Sequence, residues 1–257
     1  MDAPLKLLKR QILAATSATG EGHIASAFSI LDILWALYDR VLQFDPKHPA
    51  SNDRDRFILS KGHGSLALYA VLAEKGFFPP AELKNFCTYS SFLGGHPDRT
   101  KVPGVEASTG SLGHGLPLGV GVALGLRIHA SNRRVFVMVG DAECNEGTIW
   151  ESALLAAHHK LGNLTCIVDY NHSTDRALGM GDIAEKFKAF GWAATTINGH
   201  DSAAIESALR AHEEGRPTAV VAETVKGKGV MQMENNPAWH HHAPSQEELE
   251  AMLQELA

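Results

Sequence analysis

The sequence predicts an α/β fold, a three-layer, doubly wound and mostly parallel sheet with helices on both faces. Two observations carry this. Residues 135–139 and 164–168 are continuously apolar, as strands covered on both faces must be, and residues 147–161 between them read as a helix, completing one βαβ unit. The alternation then continues, with helix expected over 183–190 and 203–213 and extended chain over 193–197 and 218–224.

Earlier segments fit the same plan. Lys6, Lys9 and Arg10 among Leu5, Leu8 and Ile12 have amphipathic-helix spacing, not the pattern of a secretion signal. Ile30, Ile33, Leu34, Leu37, Tyr38 and Val41 recur at helical spacing and predict an amphipathic helix over 29–42. Asp45-Pro46 and the charged run 52–56 mark a surface connection, after which residues 57–60 form a short buried-strand candidate followed at once by Gly62 and Gly64. Glycines at 113, 115, 119, 121 and 125 among Leu and Val predict a buried helix over 113–130 that approaches its neighbours closely. The tail after Lys226 is expected to wrap over the sheet edge. No repeat or linker-like shift interrupts the chain, so a single domain over 1–257 is expected.

Bulk properties exclude several classes. An apolar fraction of 44% and a charged fraction of 20% are those of a globular protein, and a net charge of −6 provides no basic field for nucleic acid. Cys87, Cys144 and Cys166 are scattered and odd in number, which argues for a reducing, cytoplasmic setting. No apolar run reaches the length of a membrane span.

Ligands of doubly wound sheets bind outside the carboxyl ends of the strands, where this chain places Gly140-Asp141 and Asp169-Tyr170-Asn171. Asn171 lies thirty positions after Asp141. Neighbouring parallel strands end at one edge, so this carboxylate and amide oxygen can converge on a hard cation such as Mg²⁺, with Gly140 admitting a diphosphate to its amide. An isolated pair of this kind also reads as a strand-ending turn and a cap, and spacing alone leaves both readings open.

Gly140-Asp141 with Asp169-Tyr170-Asn171 resembles the thiamine-diphosphate motif, in which Gly-Asp-Gly is followed some thirty residues later by asparagine. Gly22-His23, Ser60-Lys61-Gly62-His63-Gly64, Gly95-His96-Pro97, Gly110-Ser111-Leu112-Gly113-His114-Gly115, Asn171-His172-Ser173 and Lys226-Gly227-Lys228-Gly229-Val230 are similar to transketolases, over residues 15–245. The resemblance implies a thiamine-diphosphate-binding fold and, for this chain, its diphosphate-binding domain. It implies Mg²⁺, or Ca²⁺ or Mn²⁺ in its place, held by Asp141, Asn171 and the main-chain carbonyl of Ser173. It places Gly110, Gly140, His63 and His240 at the cofactor diphosphate and its surroundings, Leu112 at the thiazolium, and His23, His96 and His240 among the catalytic groups. Glu146 would belong to an acid network at a subunit interface. Each histidine also reads as an ordinary satisfied side chain, and His241 and His242 match nothing in the pattern.

A full-length transketolase is more than twice as long, so the resemblance is to the N-terminal subunit of a split enzyme. It implies a C-terminal partner subunit that supplies the pyrimidine-binding domain and the activating glutamate, an α₂β₂ heterotetramer, and two-carbon ketol transfer from a ketose or ketose phosphate to an aldose. Ala142, Glu21 and the run 173–176 depart from the family pattern, which leaves donor and acceptor open. The alternatives are the α-subunit of a 2-oxoacid dehydrogenase or other decarboxylating thiamine enzyme, and a non-catalytic regulatory homologue.

Overall fold

The computed structural model describes residues 3–256. Five strands form one wholly parallel sheet in the order β1-β2-β3-β5-β4: β1 Arg56–Leu59, β2 Val135–Gly140, β3 Leu164–Tyr170, β4 Ala193–Asn198 and β5 Thr218–Glu223. Every residue of β2 is buried, and its side chains divide by the pleat. Phe136 and Met138 enter one hydrophobic core; Val135, Val137 and Val139 enter another on the opposite face. Each such side chain stabilises the fold by about 1.5–3 kcal/mol. Helices α1 Ala3–Thr19, α2 Ile24–Ala36, α3 Ser65–Glu74 and α8 Ser202–Arg210 contribute to the first core. Helices α4 Gly115–Ile128, α5 Gly147–His158 and α7 Ile183–Ala189 contribute to the second, and a short α6 spans Asp175–Leu178.

The predicted three-layer α/β architecture is present, but three elements differ in detail. Helix α2 begins at Ile24, five residues before the expected start, and continues past Ala36 as a π-helical turn over Leu37–Val41. It is buried at all but Asp32 and Trp35, because α1, α3 and α8 surround the face expected to meet solvent. Conversely, α4 is buried on one side only. A Cβ on Gly119 would lie 2.3 Å from Val137 Cγ2, whereas one on Gly121 or Gly125 would meet open space, and Leu118 and Ile128 are exposed.

The tail passes the carboxyl edge of the sheet, where Lys226 Nζ reaches Ser173 Oγ at 3.2 Å, and runs on to the helices of the first core. The Gly227 amide donates to the Ala25 carbonyl at 3.0 Å, Lys9 Nζ donates to the Lys228 carbonyl at 2.8 Å, and the last helix, α9 Gln246–Glu255, lies against α1. Lys9 is thereby buried at 1% exposure, and desolvation holds its ammonium below the usual lysine value.

Candidate functional site

Pairing of Gly140 with Asp169 makes β2 and β3 end side by side. Asp141 opens a 3₁₀ turn over Asp141–Asn145, and Asn171 follows Tyr170 out of the sheet. Asp141 Oδ1 accepts the Ala142 amide at 2.8 Å, and Oδ2 accepts the Ser173 amide at 2.7 Å. Asn171 Oδ1 accepts that same Ser173 amide at 3.2 Å, together with the Ser173 hydroxyl. Thus one carboxylate oxygen and one amide oxygen, on residues 3% and 8% exposed, converge on a single positive pole.

Asn171 is oriented from below. Its Nδ2 donates to Asp169 Oδ2 at 2.8 Å, which leaves Oδ1 for the site. Asp169 is fully buried and also accepts from Ser29 Oγ at 2.9 Å and from Thr224 Oγ1, while Lys61 Nζ forms an ion pair with it. Burial, and next the charge of Asp169, raise the Asp141 carboxyl above its ordinary value. A cation beside it would reverse that effect, and the donors present are the hard oxygens that Mg²⁺ prefers. Ser173 reaches this point through its amide and hydroxyl. The described residues contain no cluster of three His, Cys, Asp or Glu side chains arranged for a metal, so the remaining ligands to a cation here would be main-chain and cofactor oxygens.

Glu143, fully buried, ties the surrounding loops together. Its carboxylate accepts the Gly140 amide at 2.8 Å, the Gly113 amide at 2.8 Å and Ser60 Oγ at 2.5 Å. Desolvation raises its proton affinity even with these three donors.

Imidazoles from three chain segments meet above this floor. His23 precedes α2, His63 sits in a 3₁₀ turn over Gly62–Gly64, and His240 follows another over Pro237–Trp239. Ring centroids are 5.7 Å apart for His23 and His63, 5.4 Å for His23 and His240, and 4.7 Å for His23 and His241. Lys226 Nζ lies 2.8 Å from His240 Nδ1 and 3.2 Å from Ser173 Oγ, linking the histidines to the oxygen pair. His96 is exposed, outside the ring cluster but adjacent to it: a Cβ on Gly62 would lie 2.9 Å from its ring, and one on Gly110, whose φ is +142°, would lie 3.0 Å away. Leu112 and Glu146 are exposed and flank Gly113, with Glu146 at the N-cap position of α5.

Burial, with Lys61 next, lowers the His63 pKa to about 2; burial, with His241 and His240 next, lowers that of His23 to about 4. Both imidazoles are therefore neutral near pH 7. The unfolded chain takes up their protons below about 6.5 whereas the folded chain does not, so stability falls as pH decreases through that value. The urea midpoint is expected to drop between pH 7 and pH 5, and the drop should shrink in a His63→Asn chain. Equal pH slopes in the two chains would contradict the assignment.

Lys61, Glu143, Asp169 and Lys226 had no assigned role from sequence. Lys61 and Asp169 still carried a signal, because a charged residue at the end of an apolar strand requires a buried partner.

A parallel sheet with this polar constellation at its carboxyl edge makes the chain an α/β protein of the thiamine-diphosphate-binding fold. The chain belongs to the transketolase family: residues 6–257 match the family described as transketolase, thiamine diphosphate binding domain. It is 40% identical over 264 residues to one of the subunits of the apulose-4-phosphate transketolase of Actinobacillus succinogenes, spanning 100% of this chain and 95% of that one. It is 35% identical over 259 residues to a 6-deoxy-6-sulfo-D-fructose transketolase subunit from a Clostridium species, spanning 97% and 94%. A mutant transketolase from Pichia stipitis superposes with a TM-score of 0.93 at 28% identity, covering 99% of this chain and 40% of that one. The chain thus spans about two-fifths of that enzyme's length. It is a transketolase-type transferase chain, which selects that reading over a decarboxylating enzyme.

Proposed function

We propose that this chain, as one diphosphate-binding domain over residues 1–257, is half of a split transketolase that transfers a two-carbon ketol unit from a ketose to an aldose. The convergence of Asp141 Oδ2 and Asn171 Oδ1 at the ends of β2 and β3 carries this reading. Those two groups, with the main-chain carbonyl of Ser173, would hold Mg²⁺, or Ca²⁺ or Mn²⁺ in its place. His63, His240 and Gly110 would face the cofactor diphosphate and Leu112 the thiazolium, while Gly140, whose amide is taken up by Glu143 and not left for the diphosphate as expected, would border it through its bare Cα. Bound thiamine diphosphate would supply the nucleophilic carbon and the electron sink for carbon–carbon cleavage. His23, held neutral by burial, can donate to or accept from a sugar hydroxyl, and His96 stands beside it at the exposed side. Glu146, exposed at the start of α5, is suited to a contact with a second subunit.

The partner would be a C-terminal subunit bearing the activating glutamate, in a cytoplasmic α₂β₂ assembly, with no nucleic acid or membrane involved. No described helix is long and apolar enough to cross a membrane. The relatives named for apulose-4-phosphate and for 6-deoxy-6-sulfo-D-fructose point to sugars with an anionic terminus as the substrate class.

Purification with the partner and measurement of aldose release from ketose phosphates tests this. His96→Ala should spare cofactor binding while lowering kcat by roughly 10²-fold. Full turnover by this chain alone would overturn the split-site reading, and a complex that shows no heat of thiamine diphosphate binding in the presence of Mg²⁺ would overturn the enzyme reading.

A further inference from the structure

A cleft of about 820 Å³ opens between the loop over residues 99–108 and α4, with the start of β1 in its wall. Three guanidiniums, Arg54, Arg56 and Arg99, line it against one carboxylate, Glu106. Glu106 pairs with Arg54 through Oε1 and lies 3.8 Å from Arg56 through Oε2. The neighbouring Asp55 is committed elsewhere, accepting the amides of Gln43 at 2.9 Å and Arg134 at 2.8 Å. Among the described residues, no carboxylate lies within ion-pairing distance of the exposed Arg99. Arg99 is thus the guanidinium of the three without an ion pair, and the three positive charges still outnumber the negative charges of Glu106 and Asp55. Burial lowers the proton affinity of Arg56, and the charges of Arg54 and Arg99 add to it against the opposing pull of Glu106 and Asp55.

Guanidiniums with spare donors on a concave wall are suited to phosphate, which they can grip in a planar, two-point fashion. The lining also includes the apolar side chains of Val102, Val105 and Leu118, which suit a carbon skeleton. We propose that this cleft binds a phosphate-bearing small molecule, with the phosphate between Arg56 and Arg99. The site would bear on the loop that leads to the cofactor region. The Arg99 amide donates to Ser108 Oγ at 3.0 Å and Thr109 Oγ1 donates to the Leu59 carbonyl at 2.7 Å, so the loop is fastened between His96 and Gly110. A ligand that cross-links Arg56 and Arg99 tightens the same loop. This inference does not depend on the catalytic reading.

Titration of the full chain with inorganic phosphate, followed by amide NMR, tests it. Saturable shifts are expected over residues 99–108. Arg99→Gln, at an exposed position that leaves the core untouched, should weaken the affinity read from those amides roughly tenfold. An unchanged affinity at those amides in Arg99→Gln overturns the proposal, as do shifts confined to the surroundings of Gly140 and Asn171.

Discussion

An Asp141→Ala chain should lose metal-dependent binding of thiamine diphosphate by about 100-fold or more. Groups that merely orient a metal ligand are worth roughly 10–100-fold in metal affinity. Asp141 is the only carboxylate in the proposed ligand set, and its Oδ2 lies at the point where Asn171 Oδ1 also arrives. The variant should still fold. It loses two hydrogen bonds to amides, but it also removes a desolvated carboxylate held near Asp169. Calorimetry in Mg²⁺ and again in chelator, on parent and variant, provides the comparison. If the parent's affinity were the same with and without metal, Asp141 could not be a metal ligand.

Lys61→Met should produce the largest loss of stability, roughly 3–5 kcal/mol, because it leaves the Asp169 carboxylate without its buried counter-charge. Both side chains are at most 1% exposed and their pairing joins the segment after β1 to the end of β3. Asp169 keeps its bonds from Ser29, Asn171 and Thr224, but none of these is charged. A Lys61→Met, Asp169→Asn double variant should recover much of the loss, since the amide removes the buried charge while its oxygen can still accept from these neighbours. Denaturant unfolding of the singles and the double measures the coupling, and additive losses would show that the pair does not act as a unit.

The β2-α5-β3 unit was legible because strands buried on both faces must be apolar throughout and the helix between them is bounded by turns. Helix α3 was not, because Ser65 to Ala73 are buried all round and so lack the periodicity that marks a helix on a surface. The start of α2 was hidden for the same reason. At the site, strand-end logic brought Asp141 and Asn171 forward while leaving a turn-and-cap reading open, and the supports beneath them depend on sheet order. Lys61 and Asp169 are 108 positions apart, and Ser60 and Glu143 are 83 apart. Nothing local announces such pairs until β1, β2 and β3 are known to be neighbours. The histidine cluster was expected only through family likeness, and His241, which that likeness did not include, stands with its ring nearer His23 than either His63 or His240.

The path of the tail imposes an order of events on synthesis. The bond from Lys9 to Lys228 closes over 219 residues, and His240 lies beyond it in the chain. While a ribosome adds roughly 5–20 residues per second, α1 must wait several tens of seconds at the slower rate for the segment that covers it. During that interval the sheet and its oxygen pair can form, but His23 and His63 lack the third imidazole. The nascent chain therefore acquires its Asp141 and Asn171 oxygen pair first and its full histidine cluster last.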